Sequence, residues 1–253
     1  TREAPVGHQQ CMLVIVGASL VGLLLGAGVH PRPSYARVSS IAMPGPPLPP
    51  ATVGAVTGNA ASPIRVELFL DLVCPFSRKM YAAAIEGGVL EKMGHKVCFI
   101  INQVPQPWHP QGTFVHEAAL AVKHVSPERY FAYVSALYAA FDAGSFKDDT
   151  TWNKSRTEIY NELLDIAEKQ GIDKAAVSQF LMMKPDGGNC GNEMTQAIKW
   201  SVKYHRCRGV HVTPTVHVNG IEAGVVSSGW TSEQWLEFLA AEGADCFRGM
   251  TVS

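Results

Sequence analysis

The chain has 253 residues, of which 47% are apolar and 17% are charged, so it is long and apolar enough to bury a core. Its formal net charge is -1 and its sequence has no basic stripe, which argues against a nucleic-acid partner. Six cysteines occur, but none are spaced as Cys-x-x-Cys, which argues against a zinc ribbon or knuckle. The even number permits disulfides without assigning their pairs.

The N-terminal part predicts a membrane segment. Residues 1–11 are predicted as a tail, and residues 12–29 form an apolar run without a charge, close to the lower length limit for a membrane span. We predict a retained transmembrane or signal-anchor helix there. A secretory or thylakoid-transfer signal, which is normally removed, is the alternative. Ala18, Gly22 and Gly26 recur at four-residue spacing, so one helix face is small enough for another membrane helix to pack closely.

These features predict a single-pass membrane protein in which the helix at 12–29 contacts other membrane protein subunits. The soluble domain is expected on a non-cytosolic face, whether lumenal, periplasmic or intermembrane. The charges around the span are too balanced to decide its orientation, and the organelle, such as a plastid or the secretory pathway, stays open.

A proline-rich linker and then a folded domain follow the predicted span. Residues 30–63 hold half of the 16 prolines and are predicted as an extended linker, because such a segment cannot form a packed core. The folded domain is predicted over 64–253. It begins with a buried strand at 65–73, a turn at Cys74 into a helix, and a second buried strand at 96–104, which together make a βαβ unit.

The rest of the domain is first helical and then returns to strands. Residues 112–203 have apolar residues at helical spacing and are predicted as an all-helical insert. A short strand at 215–218 is followed by Asn219-Gly220, a strong hairpin signal, and by a returning strand at 221–225. The segment 231–234, Thr-Ser-Glu-Gln, fits a capping box that opens the last helix. The predicted order is βαβ, a block of helices, and ββα, an α/β fold.

Three segments carry a family resemblance. Residues 66–77 (VELFLDLVCPFS), 104–110 (VPQPWHP) and 209–220 (GVHVTPTVHVNG) resemble the active-site strand and turn, the stretch after the second strand, and the cis-proline loop of DsbA-like proteins. The resemblance implies a thioredoxin fold with a helical insertion. This superfamily includes thiol–disulfide oxidoreductases, kappa-class glutathione transferases and hydroxychromene-carboxylate isomerases.

The motif at the helix start reads Cys-Pro-Phe-Ser, so Ser77 occupies the position of the second cysteine of redox-active relatives. A cysteine at a helix N-terminus meets unpaired backbone N–H groups and the positive end of the helix dipole, which favour the thiolate. Arg78 and Lys79, close in sequence, are expected to add positive charge. Without a second thiol in the motif, Cys74 could trap a partner but would need an external thiol for release.

The resemblance also assigns roles to other residues. Pro214 is expected in a cis peptide bond, packed against the Cys74 sulfur, and the peptide bond of Thr213 is expected to pair with bound substrate. Glu67 and Asp71 are alternative candidates for a buried acid near the cysteine, and a solvated or paired acid is the other interpretation. The catalytic candidates are Cys74, Ser77 and Pro214. The substrate-binding candidates are Pro75, Phe76, Thr213 and His109.

No metal site is expected. His205, Cys207 and His211 lie close in sequence, but no further residue completes a coordination geometry. Cys190 and Cys207 bracket one predicted helix and are candidates for pairing with each other or with Cys246. Pairing across the helix would require the chain to bend back.

Three functions stay open at this point. The first is a membrane-tethered monothiol oxidoreductase or isomerase that acts on protein thiols or disulfides, which Cys74 favours. The second is a redox-retired structural subunit of a membrane complex, which Ser77 and the proline-rich linker favour. The third is a glutathione-dependent transferase or isomerase of the kappa-class kind. Glutathione is the only cofactor that any of the three would bring.

Overall fold

A computed structural model describes residues 47–185 and 188–240 and contains a five-stranded mixed sheet. The strands are β1 Ala55–Gly58, β2 Ile64–Leu70, β3 Val97–Gln103, β4 Thr215–Val218 and β5 Ile221–Glu222. Their order across the sheet is β1-β3-β2-β4-β5. Strands β2 and β3 run parallel, and all other neighbouring pairs run antiparallel.

Helices surround this sheet and fill the long connection between β3 and β4. Every element in the described part of that connection is helical, which confirms the predicted insert and extends its last helix to Cys207. A π-helical turn, Ala82–Glu86, follows the first helix, and short 3-10 turns lie at Pro127–Arg129 and Gly188–Cys190. The helices are α1 Pro75–Tyr81, α2 Val89–Met93, α3 Gly112–Val125, α4 Tyr130–Asp142, α5 Asp148–Thr151, α6 Arg156–Lys169, α7 Lys174–Leu181, α8 Thr195–Cys207 and α9 Ser232–Leu239.

Strand β2 lies at the centre of the sheet, and its residues 66–70 are buried on both faces. Val66, Leu68 and Leu70 alternate along one face, Phe69 lies on the other, and all four are fully buried. Hydrogen bonding to β3 on one edge and to β4 on the other fixes the strand on both sides. The turn that follows Leu70 therefore leaves the middle of the sheet at a defined position.

Strand β1 corrects the predicted domain boundary. It lies inside the range 30–63 that was predicted as linker, and it pairs antiparallel with β3 from Ala55 opposite Ile101 to Gly58 opposite Cys98. The indole Nε1 of Trp200 also donates to the Pro47 carbonyl at 2.7 Å. The boundary at residue 64 is therefore wrong. A four-residue strand that ends in glycine and follows a proline-rich run is too short to give a clear period-two signal.

The described residues contain no helix that is both long enough and apolar enough to cross a membrane. The predicted tail at 1–11, the predicted span at 12–29 and the first part of the predicted linker lie outside the described residues.

Candidate active site around Cys74

Cys74 is the N-cap of α1, in an extended conformation with φ -93° and ψ 125°. Pro75 follows at the first helical position, where its fixed φ suits a helix and its missing N–H costs no hydrogen bond. The Arg78 amide donates to the Cys74 carbonyl at 2.9 Å, and the Cys74 amide donates to the Asp71 carbonyl at 3.1 Å. The backbone around the cysteine is therefore held on both sides.

The cis-proline loop lies directly beside this cysteine. The Thr213–Pro214 peptide bond is cis, as predicted, and it immediately precedes β4. Because Thr215 is paired with Phe69 near the end of β2, the loop meets the turn that carries Cys74. The Cys74 Sγ lies 3.5 Å from the Thr213 carbonyl oxygen, to which its S–H donates. Cys74 is 5% exposed, whereas Thr213 and Pro214 are half-buried.

Ser77 is fully buried, and its hydroxyl has a structural partner. The Asp71 backbone N–H donates to Ser77 Oγ at 3.2 Å, which ties the start of the turn to the first turn of α1. The side chain therefore holds the Cys74 turn, and a hydroxyl cannot form the disulfide that a second cysteine would form there.

Asp71 is the acid at the centre of this turn. Its fully buried carboxylate accepts from the Val73 amide at 3.1 Å and the Gln106 amide at 3.2 Å. It also lies 2.8 Å from His109 Nδ1 and 3.1 Å from His116 Nε2. Burial alone would raise the Asp71 pKa, but the hydrogen bonds with the two histidines outweigh it and hold the pKa well below its usual range. The side chain is therefore an ionised, anchored carboxylate.

His109 forms a hydrogen bond with this negatively charged carboxylate. Its hydrogen bond to Asp71 raises its pKa, although its partial burial acts in the opposite direction. His109, one of the predicted substrate-binding residues, is half-buried and bonds to the buried acid behind the cysteine. His116, which the sequence analysis did not single out, is fully buried on α3. A histidine on the apolar face of a predicted helix was the available signal for it.

Glu67, the other candidate acid, belongs to a separate cluster. Its carboxylate accepts from the Tyr204 hydroxyl at 2.6 Å, from Arg208 Nη2 at 3.0 Å and from Asn102 Nδ2 at 3.3 Å. Burial, followed by the hydrogen bond to Glu67, raises the pKa of Tyr204 to about 12. Glu67 therefore fits the interpretation of a paired acid, and Asp71 is the acid bonded to the cysteine turn.

The two basic residues after the motif have other partners. Arg78 forms ion pairs with Glu86 at 2.5 Å and with Asp142 at 2.8 Å, so two carboxylates offset its charge. Lys79 Nζ lies 5.7 Å from the centre of the Phe76 ring. The expected addition of positive charge at Cys74 is therefore reduced by Glu86 and Asp142.

Each of the three segments that form the site carries an exposed apolar side chain. Phe76 is 54% exposed, Trp108 is 56% exposed and Val212 is 61% exposed. Phe76 and Pro75, also exposed, belong to the motif, Trp108 precedes His109, and Val212 precedes the cis-proline pair. We call Phe76, Trp108 and Val212 the apolar rim. Each segment of the site therefore leaves apolar surface in water.

The predicted cysteine pair at the ends of α8 does not form. Cys190 and Cys207 are free and exposed; Cys190 precedes the 13-residue helix α8, and Cys207 is its last residue. A helix of that length rises roughly 20 Å, whereas the Cα atoms of a disulfide lie within about 7 Å of each other. Cys246 lies outside the described residues. Among the described residues, His205, Cys207 and His211 form no metal-binding cluster.

Comparisons with known proteins agree with this architecture. A family model described as Thioredoxin matches residues 51–240. The comparison with curated proteins gives no match. Three solved structures are similar to this chain. A candidate protein-disulfide isomerase from Pseudomonas syringae is 24% identical with a TM-score of 0.59, and the match covers 74% of this chain and 98% of that one. The thiol-disulfide oxidoreductase MdbA from Actinomyces oris is 15% identical with a TM-score of 0.55, and the match covers 74% of this chain and 86% of that one. Oxidised BdbD from Bacillus subtilis is 20% identical with a TM-score of 0.54, and the match covers 75% of this chain and 92% of that one. At these identities the similarity shows the fold.

Proposed function

Because this chain belongs to the thioredoxin family, we propose that it exchanges thiols and disulfides with protein partners through Cys74 alone. The observation that carries the proposal is the position of the Cys74 sulfur, at the N-terminus of α1 and 3.5 Å from the Thr213 carbonyl of the cis-proline loop. The loop offers a backbone acceptor beside the sulfur. Ser77 leaves the motif without a second thiol.

The reaction has two exchange steps. The Cys74 thiolate attacks one sulfur of a partner disulfide, a bond forms between these two sulfurs, and the other partner sulfur leaves as a thiolate that takes up a proton. An external thiol of the glutathione class then attacks the partner's sulfur in the mixed disulfide. This second step restores the Cys74 thiolate and leaves the disulfide between the partner and the external thiol.

The surroundings of Cys74 support these steps without taking part in the bond changes. Once the sulfur has lost its proton, it no longer donates to the Thr213 carbonyl, which is then free to accept from the backbone of a bound polypeptide. The apolar rim supplies contact area for that polypeptide. Ser77 and Asp71 hold the turn in place from behind.

The proposal is tested with a variant in which Cys11, Cys190, Cys207 and Cys246 are replaced by serine, so that Cys74 is the only cysteine besides the buried Cys98. Incubation of this variant, in its folded state, with oxidised glutathione is expected to give one adduct by intact-mass measurement. Adding Cys74→Ser should remove that adduct. An unchanged adduct in this control, or efficient insulin reduction that survives Cys74→Ser, would contradict a monothiol mechanism at Cys74.

One observation favours a second candidate function, a redox-retired thioredoxin-fold subunit that only binds partners. Cys74 is 5% exposed, and exchange requires a disulfide to reach its sulfur. If this candidate is right, Cys74 should react with glutathione disulfide only after denaturation, while native complexes should persist in Cys74→Ser. Reaction of the native protein at Cys74 would favour the exchange function.

We also propose that residues 12–29 anchor the chain in a membrane, with the folded domain on a non-cytosolic face. The support is the uncharged apolar run and the spacing of Ala18, Gly22 and Gly26. The full-length chain should stay in the membrane fraction during a carbonate wash, and Gly22→Leu should weaken association with membrane subunits. Release by carbonate would contradict the anchor, and unchanged co-purification would contradict the packing face.

A further inference from the structure

A pocket of about 420 Å³ lies next to the Cys74 site, between the segment that leads into α3 and the helix α5. Two tryptophans line it, and both leave most of their surface in water: Trp108 is 56% exposed and Trp152 is 78% exposed. Phe114 also lines it and already has a cation on its ring, since Arg156 Cζ lies 4.7 Å from the ring centre. The pocket is therefore built from aromatic rings that are suited to a flat or cationic group.

Two charged residues line this pocket, Asp148 and Lys154. Asp148 lines it, is exposed, and accepts a hydrogen bond from Gln111 Nε2 at 2.9 Å. Among the described residues, neither Asp148 nor the adjacent Asp149 has an ion-pair partner. The one basic residue of the lining, Lys154, is paired with Glu162 at 2.5 Å. Since Arg156 already lies on the Phe114 ring, an incoming positive charge would meet Asp148 and the two tryptophan rings.

The pocket and the cysteine turn share one stretch of backbone, residues 108–112. Trp108 precedes His109, which is hydrogen-bonded to Asp71 at 2.8 Å. Four residues after Trp108, Gly112 packs so closely on the turn that an added Cβ would lie 3.2 Å from Val73 Cγ2. A polypeptide whose cysteine reaches Cys74 therefore passes close to the pocket with residues a few positions away, since an extended chain advances about 3.3 Å per residue.

We propose that this pocket binds an arginine or lysine side chain of the polypeptide that exchanges with Cys74. The inference rests on the proposed function and adds a preference for partners with a basic residue near the reacting cysteine. A neutral apolar side chain would use the rings but leave Asp148 without a counter-charge. A guanidinium or ammonium group uses both the ring faces and the carboxylate.

The test compares cysteine peptides activated as mixed disulfides with thionitrobenzoate, which releases a coloured thiolate when Cys74 attacks. Each peptide carries arginine at one position, roughly two to six residues from the cysteine, and its matched control carries glutamine there. We expect at least one arginine peptide to react about threefold to tenfold faster than its control at low ionic strength. This ratio should approach one in Asp148→Asn and in Trp152→Ala, and should be unchanged in Glu168→Gln on α6.

A second arm measures binding without chemistry. The same peptides with serine in place of cysteine are titrated against the full chain, and tryptophan fluorescence reports binding. Tighter binding of the arginine peptide that is lost in Asp148→Asn supports the pocket even if Cys74 never reacts. A failure of the exchange function can therefore be distinguished from a failure of the pocket inference. Equal rates and equal affinities for arginine and glutamine at every position would overturn the inference. The inference would also be overturned if a peptide with norleucine at the same position were preferred over the arginine peptide and Asp148→Asn left this preference unchanged.

Discussion

Replacing Asp71 with asparagine is expected to destabilise the domain strongly, because this carboxylate organises the turn in front of Cys74. Its two oxygens accept from different backbone amides, Val73 on Oδ1 and Gln106 on Oδ2. Each oxygen also has one histidine partner, His116 on Oδ1 and His109 on Oδ2. An asparagine is nearly the same size, but it has one oxygen and presents an NH₂ group where the second oxygen was.

The size of the effect follows from these contacts. One backbone N–H loses its acceptor inside the protein, which costs about 1–3 kcal/mol, and a hydrogen bond to a charged group is worth about 1.5–3 kcal/mol. We therefore expect Asp71→Asn to lower the free energy of unfolding by about 3–5 kcal/mol at neutral pH, the range found when one partner of a buried charged pair is removed. This is a large share of the roughly 5–15 kcal/mol that stabilises a typical domain.

Urea unfolding followed by circular dichroism measures this loss, with Asp165→Asn as the control, since Asp165 is exposed and its ion-pair partner within the described ranges is Lys174. The control should cost about 1 kcal/mol or less. The Asp71 pKa is lowered in the folded state, so its contribution is present above its unfolded value near ~3.9 and is lost as the pH falls through the folded pKa. A loss below about 1 kcal/mol at pH 7 would refute the reasoning.

Three further predictions concern the turn, its histidine and the first strand. Ser77→Cys should add dithiol activity in insulin reduction, and this gain should require Cys74. If the activity does not appear, residue 77 is not positioned to supply the second thiol. His109→Gln should destabilise most below pH ~6.5, since a raised folded pKa gives stability that disappears as the pH rises through it; a deficit that is equal at all pH values would contradict this. Gly58→Ala should cost about 2 kcal/mol more than Gly171→Ala in urea unfolding. Both glycines have positive φ, but only at Gly58 would a Cβ meet a β3 carbonyl, at 2.4 Å.

The site could be read from the sequence where its residues lie in short, ordered patterns. The Cys-Pro pair at a strand-to-helix turn located Cys74, and the Val-Thr-Pro-Thr-Val segment before an Asn-Gly turn located the cis bond at Pro214. Both depend on local backbone geometry, which a few neighbouring residues determine. The choice between Glu67 and Asp71 could not be made in this way, since both are acids on or after the same strand.

Partners distant in sequence decided that choice. Asp71 meets His116 across 45 residues, and Glu67 meets Arg208 across 141 residues. Likewise, β1 follows a proline-rich run and is recognisable as a strand only because β3 is beside it. The Trp108 and Trp152 pocket also joins residues from two separate segments.

The sequence by itself determined the order of elements from β2 onward, the helical insert and the position of Cys74 without a second cysteine at residue 77. Periodicity, caps and turn residues act over a few neighbours, so these features are present in the chain before it folds. Only the tertiary structure decided which acid supports the cysteine, which basic residue is paired, and which aromatic side chains stay exposed. These properties depend on burial and on the groups brought alongside, because the ionisation of a carboxylate and the exposure of an indole are set by the packed surroundings.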